Sequence, residues 1–225
     1  MPEEAARSDE VSLYAAMGTL RAVRRLRDEP IPDAVLQRIL QAGVWAPSGG
    51  NAQPWRVIVV KDSRIRAALG SLYGPEWDKY SVGARATVEQ LTGEGRARQE
   101  RTLRAADHLG AHFGAAPVIL VFCFNPESMA ITDAGLSRPS VVGGGSVYPA
   151  VQNVMLACRA EGIGCTLTTL LCFQEAAVRK LLDIPDPWYT CAFLPIGYPK
   201  LRGHGPISRR PVEKLAYLDR WLGQL

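Results

Sequence analysis

APSGGNAQPW, residues 46–55, sets two glycines, two prolines, a serine and an asparagine between two apolar segments of different period. Before it, Val35, Leu36, Ile39, Leu40, Gly43 and Val44 recur at helical spacing. Pro30 and Pro32 suit the first turn of that helix, and Asp33 suits the positive end of its dipole. The helix must stop at Pro47, which cannot continue the backbone ladder. After the loop, WRVIVV over residues 55–60 is a β-branched apolar run that predicts a buried strand. A short rigid polar loop is therefore held between a helix and a strand, next to something it must touch. Glycine allows close backbone approach and an asparagine amide both donates and accepts, although both residues also serve ordinary helix-ending turns.

Upstream of the helix, Arg21, Arg24 and Arg25 bring three guanidinium groups into five residues. Arginine presents a fixed fork of donors that grips phosphate and stays charged at physiological pH. On a helical turn Arg21 and Arg24 would share a face while Arg25 points elsewhere. The cluster fits an anionic ligand or a solvated helix end.

Outward from these two segments, residues 11–19 predict a short helix, and the arginine segment is its exit or an extended stretch. Asp62 can cap a short helix whose apolar face is Ile65, Ala68, Leu69 and Leu72. Residues 74–114 are polar, arginine-rich and interrupted by Gly93 and Gly95, which predicts two exposed helices forming a variable, mobile cover over a site. PVILVFCF at 117–124 predicts a central strand, apolar on both faces. A long loop through Gly143, Gly144 and Gly145 leads to a helix at 146–161, which Gly162 ends. Then come a strand at 165–171 with three threonines, a helix at 173–182, a strand at 190–198 and a terminal amphipathic helix at 212–221. With no repeat and no long linker, the chain reads as a polar tail over 1–10 and a single domain over 11–225.

The 225 residues are 47% hydrophobic and 21% charged, with a formal net charge of +4. The arginines are spread from Arg7 to Arg220, so nucleic acid is not the expected partner. Five cysteines, in apolar contexts and without zinc-like spacing, suggest reduced thiols in a cytosolic protein. The acidic N-terminus does not suit a signal peptide, and no apolar run approaches the ~20 residues of a membrane span. A cytoplasmic protein without membrane contact is expected. No Gly-x-Gly-x-x-Gly follows the first strand and no P-loop occurs. His108 and His112 share a helix face, but no third ligand motif accompanies them and no metal is expected.

The order and spacing of RAVRRL at 21–26, EPIPD, a helix, APSGGNAQPW and an apolar strand resemble the nitroreductase family of FMN-dependent oxidoreductases. The likeness extends to the 117–124 strand, to Gly-Ile-Gly-Cys-Thr at 162–166, and to Leu-Pro-Ile-Gly-Tyr-Pro at 194–199 with a later Arg-Arg-Pro. It is weakest over 74–114. The resemblance implies an α+β, three-layer fold with a central mixed or antiparallel sheet flanked by helices, built as an intertwined homodimer with FMN at the interface. By it, Arg21 binds the FMN phosphate, Arg24 reaches the ribityl chain or pyrimidine edge, and Arg209, or Arg210 if the register slips by one, supplies a late phosphate contact. Pro47, Ser48, Gly49 and Asn51 meet the flavin from the other subunit, and Thr168, Thr169 and Leu170 run beside its ring near N5. This chain has Ala22 where members often have serine and Leu20 where many have arginine, so its phosphate grip leans on Arg21 and the tail.

Glu76 and Tyr80 fall where relatives that dehalogenate iodotyrosines clamp their substrate, though arginines 96, 98, 101 and 104 stand where a completing lysine is expected. The activity implied is an NAD(P)H-dependent, ping-pong reduction of an electron-poor small molecule such as a nitroaromatic or quinone. In that chemistry the flavin, not a side chain, carries the hydride. The alternatives are a flavin-binding protein without turnover and a specialised family enzyme, a dehalogenase or one that consumes its flavin.

Overall fold

Side chains alternate across strand β2 (Val118–Phe124), and this alternation sets the layers of the protein, described over residues 11–225 in a computed structural model. Val118, Leu120 and Phe122 enter one buried cluster with Leu36, Ile39, Val151 and Val154. Ile119, Val121 and Cys123 enter another with Leu69, Tyr73, Phe113 and Val178. The first cluster is closed by α2 (Asp33–Val44) and α5 (Tyr148–Ala160). The second is closed by α3 (Ser63–Gln90), α4 (Gly93–His112) and α6 (Glu175–Leu181). A strand covered on both faces has no polar side, which is why its sequence is apolar throughout. The tail expected over 1–10 lies outside the described residues.

β2 is flanked by β1 (Trp55–Val60) and β4 (Tyr189–Gly197), and the two-residue β3 (Gly164–Cys165) completes the order β1-β2-β4-β3. Every pairing is antiparallel, so the expected three-layer α+β architecture is present and its sheet is antiparallel rather than mixed. α2 and α5 approach closely at Gly43, where a Cβ would come within 2.9 Å of the Val154 side chain. Arg38 closes the same helix pair with two 2.7 Å bonds to the Glu161 carboxylate. The five cysteines are free. Burial holds the Cys123 thiol up, to about 11, and raises that of Cys191 too, so both stay protonated at neutral pH. Among the described residues no helix is long and apolar enough to cross a membrane.

Three local expectations need correction, and one left open is settled. The helix after Asp62 does not end near Gly74 but runs from Ser63 to Gln90 through Pro75. Proline there leaves the Ser71 carbonyl without its helical donor, yet Tyr73 and Glu76 on either side are buried, and their packing holds the helix together. Of the two forms open to the arginine segment, an exit turn or an extended stretch, the extended one is present. α1 (Leu13–Thr19) stops at Leu20, and the chain then runs extended: Val23 N–H donates to Cys165 O (2.9 Å) and Lys200 N–H to Arg25 O (2.9 Å). The strand expected over 165–171 is limited to Gly164–Cys165 plus one isolated bridge, Thr168 to Phe193, before a 3-10 stretch at Leu170–Gln174. The expected helix at 212–221 is a single 3-10 turn, Val212–Lys214. Leu215, Leu218 and Trp221 are exposed, and a short amphipathic segment with nothing to bury its face against does not hold a helix.

Candidate active site

The extended arginine segment runs beside the short edge strand β3, clamped there by the Thr166 hydroxyl donating to Val23 O (2.9 Å). Val23 is buried against Gly164, where a Cβ would collide with its side chain. Holding Val23 down directs its arginine neighbours outward. Arg24, half-buried, lines three cavities. Burial lowers its pKa while Tyr73 opposes the shift, and among the described residues it forms no ion pair.

The first cavity, of about 470 Å³, has Thr166 to Leu170 along one wall and Tyr73, Trp77 and Tyr80 of α3 opposite. Its size falls within the ~300–1,000 Å³ of small-molecule and cofactor pockets. Thr168 is fixed by two backbone bonds with Phe193, donating at 3.0 Å and accepting at 2.9 Å. Its Oγ1 lies 3.2 Å from the Tyr73 hydroxyl and accepts from Leu170 N–H at 3.4 Å. Burial raises the Tyr73 phenol pKa, against the pull of Thr168 and Arg24.

The second cavity, of about 450 Å³, is lined by Arg21, Arg24, Arg25, Arg98, Arg101 and Arg202 among others. Arg21 Nε donates to Gly203 O at 2.6 Å. Arg25 Nη1 lies 3.3 Å from His108 Nδ1. The third, of about 210 Å³, includes His108, His112, Arg66 and Lys200. The two imidazoles stack at 4.2 Å, and burial, with His112 and nearby cations, lowers the pKa of His108.

The structure thus brings Arg21, Arg24, Thr168, Thr169 and Leu170 to adjoining cavities. Arg209 and Arg210 line none of the three that Arg24 lines, and among the described residues Arg209 bonds the neighbouring Ser208 carbonyl at 2.9 Å. Pro47, Ser48, Gly49 and Asn51 also stand apart from them. Their loop braces itself: Gln53 N–H donates to Ser48 Oγ (2.9 Å), Gln53 Nε2 to Asn51 Oδ1 (3.0 Å), and Gly49 N–H to Ser146 Oγ (3.1 Å). Gly50, Asn51 and Gln53 have positive φ, of 58°, 54° and 47°, and those contacts hold the strain at the two non-glycine positions, Asn51 and Gln53.

Tyr80 lines the first cavity, but the buried Glu76 does not. Its Oε1 accepts from Lys79 Nζ (2.8 Å) and Gln174 Nε2 (2.7 Å), which hold its carboxyl below the usual range. Glu76 therefore ties α3 to the segment after Thr168. Sequence reasoning missed Tyr73, Trp77 and Arg202, and it noted Arg98 and Arg101 only with Arg96 and Arg104, as arginines standing where a lysine is expected. For the α4 arginines a partial signal existed: Arg96 and Arg104 each stand four residues from Glu100, whereas Arg101 has no acid at that spacing.

A three-layer α+β fold with a cavity walled by arginines defines the class of protein: an α+β chain whose cavity chemistry suits an anionic small molecule. The particular family follows: residues 19–198 match the nitroreductase family, and the chain belongs to it. It is 30% identical over 190 residues to a 5,6-dimethylbenzimidazole synthase of Rhodobacter capsulatus, 84% of each chain being covered. It is 26% identical over 221 residues to an NADH dehydrogenase of Thermus thermophilus, covering 87% of this chain and 90% of that one. The solved structure of oxidized iodotyrosine deiodinase bound to FMN and 3-iodo-L-tyrosine matches with a TM-score of 0.66 at 22% identity, covering 93% of this chain and 100% of that one. At that identity the likeness establishes the fold.

Proposed function

We propose that this chain is an FMN-dependent oxidoreductase that takes electrons from NAD(P)H and passes them to an electron-poor acceptor, such as a nitroaromatic or quinone, in alternating half-reactions. The observation that carries this reading is Arg24, a half-buried guanidinium with no ion pair among the described residues, set between the cavity at Thr168 and the arginine cavity. An unpaired, partly desolvated cation is costly, and an anionic ligand relieves that cost. FMN, when bound, supplies the two-electron chemistry. Arg21 would hold its phosphate, and Arg24 would stabilise negative charge at its pyrimidine edge. Thr168, Thr169 and Leu170 would line its reactive face, with Thr168 positioned by Phe193 and Tyr73.

The reading includes Arg209, or Arg210 in its place, as the late phosphate contact, and separately a cytoplasmic homodimer whose second copy brings Pro47, Ser48, Gly49 and Asn51 to the flavin. Its support is the braced, strained loop standing away from the cavities, and the exposed Val44 and Trp45 beside it. The same reading makes residues 74–114 the cover of a single domain over 11–225, with Tyr80 at the acceptor position.

The test is anaerobic mixing of purified yellow protein with NADH or NADPH. Rapid bleaching of the flavin band is expected, and persistence of the oxidised spectrum with both donors overturns turnover in favour of a flavin-binding protein. The 30% identity to a 5,6-dimethylbenzimidazole synthase favours a second reading, a specialised enzyme of the family. Product analysis after photochemical reduction of the flavin, searching for that benzimidazole, decides between the two.

A further inference from the structure

The arginines of α4 fall into two sets. Arg96 Nε bonds Glu100 at 2.8 Å and Arg104 reaches the same carboxylate at 3.7 Å, an exposed i,i+4 pattern that neutralises itself. Arg98 and Arg101, three apart, share a helix face with Thr102 and Ala105, and all four line the second cavity opposite Arg21, Arg24 and Arg25. Arg202 joins them from the segment after β4. Among the described residues no carboxylate lines that cavity and none of its six arginines forms an ion pair. Glu100, which lies between Arg98 and Arg101 in the chain, is taken by Arg96 and Arg104. Glu94, four residues before Arg98, shares an outer recess with Arg98 and Arg101 but among the described residues pairs with neither.

A phosphate monoester carries about −2 at most. The phosphate of FMN therefore balances about two of these six guanidinium groups and leaves the cavity strongly positive. Like charges gathered on so small a volume repel, and they persist where a second anion is bound in use. Because Arg24 lines both this cavity and the one at Thr168, that anion would sit beside the redox pocket, where the tail of a reacting molecule would lie.

We propose that Arg98, Arg101 and Arg202 form a second anion site that holds a phosphate group of the incoming co-substrate. The proposal rests on the flavoenzyme reading above. Two sources share the chemistry: the 2′-phosphate of the nicotinamide donor and a phosphate on the acceptor. The site gives the cover a specific task, recruiting and orienting a phosphorylated molecule, while Arg21 and Arg24 keep the flavin.

The test uses FMN-loaded full-length protein, wild type against the R98Q/R101Q double variant and R202Q, with R96Q as a control outside the cavity. Flavin content should be unchanged in all of them. In the double variant the KM for the phosphorylated partner should rise about tenfold or more with kcat kept, as expected for loss of charge-assisted phosphate bonds. If the donor is the source, the KM for NADPH rises and that for NADH does not. If the acceptor is the source, the penalty separates free FMN from riboflavin offered as acceptors.

Inorganic pyrophosphate should bind the wild type and R96Q by calorimetry and bind the double variant at least about tenfold more weakly. Loss of the flavin itself from R98Q/R101Q overturns the proposal, since these arginines would then serve the FMN phosphate. Equal pyrophosphate binding by wild type and double variant overturns it as well. Because pyrophosphate binding needs no turnover, a wild type that neither donor reduces would refute the oxidoreductase reading while the calorimetry still decides the second site.

Discussion

The two walls of the main cavity are built by different means. On the strand side, Thr168 is pinned to β4 by backbone bonds in both directions, and the residue it pairs with, Phe193, is fully buried between β2 and the helices. On the helical side, α4 buries only Leu109 and Gly110 among its twenty residues. That side is held by side chains: Trp77 Nε1 donates to Asp107 Oδ1 (2.9 Å), Arg85 pairs with the same carboxylate (2.6 Å), and Glu76 reaches across to Gln174. Elements with few buried apolar contacts open at the lowest free energies, so the floor fixes the geometry of a ligand while the cover can yield to admit one. On the function proposed above, chemistry and selectivity would fall to parts of different rigidity.

The largest expected effect is on the floor. Phe193→Ala removes a fully buried ring from the layer under Thr168 and should lower the unfolding free energy by about 3–5 kcal/mol, read from urea transitions. A loss no greater than that of a cover substitution would erase the contrast between the walls. Next come the arginines. Arg21→Ala and Arg24→Ala should each weaken FMN binding by roughly 1.5–3 kcal/mol, about ten- to a hundredfold, in a fluorescence titration. Arg24→Met should leave the flavin-free fold no less stable, because it removes a desolvated charge that lacks an ion pair. Full flavin retention in both alanine variants would show that the phosphate lies elsewhere.

A smaller effect belongs to the cover. Trp77→Phe keeps most of the ring that fills the space left open by Gly110, where a Cβ would collide with the indole, but it removes the bond to Asp107. A cost of about 1 kcal/mol is expected. Amide exchange should quicken in α4 and not in β2. Equal acceleration in both would mean that the cover opens only with the whole molecule.

The same division explains what the sequence disclosed. Layers set by burial were legible, since the apolar run at 118–124 and the spacing of Leu36 and Ile39 follow from periods that packing imposes locally. The arginine segment and residues 168–170 could be placed because family spacing marks them. Features decided by distant partners were not legible. α3 continues through Pro75 only because Tyr73 and Glu76 are buried by segments far along the chain, and the threonine strand shortens because Thr166 turns its hydroxyl to Val23 O. The 212–221 segment has a helical pattern, but among the described residues Leu215, Leu218 and Trp221 find nothing to bury them. Arg202 and the α4 arginines meet across about a hundred residues, so spacing alone does not reveal that they share a cavity with Arg21.

The smallest predicted effect concerns the strap between the walls, and its sign can be derived. Bonds from Lys79 and Gln174 hold the Glu76 carboxyl below its ordinary value of 4.5 in the folded protein. A carboxyl depressed on folding contributes stability that is fully present above its unfolded value and is lost as pH falls through the folded one. Wild type should therefore lose stability steadily as pH drops below about 4.5, whereas Glu76→Gln, which has no charge to titrate, should lack that component. Urea midpoints for the two proteins should run parallel above that pH and converge beneath it. Curves parallel throughout would show that Glu76 is not held ionised by its partners. Convergence accompanied by faster amide exchange around Glu76 in the acid range would place the loss at the cover, where the floor's backbone bonds offer no compensation.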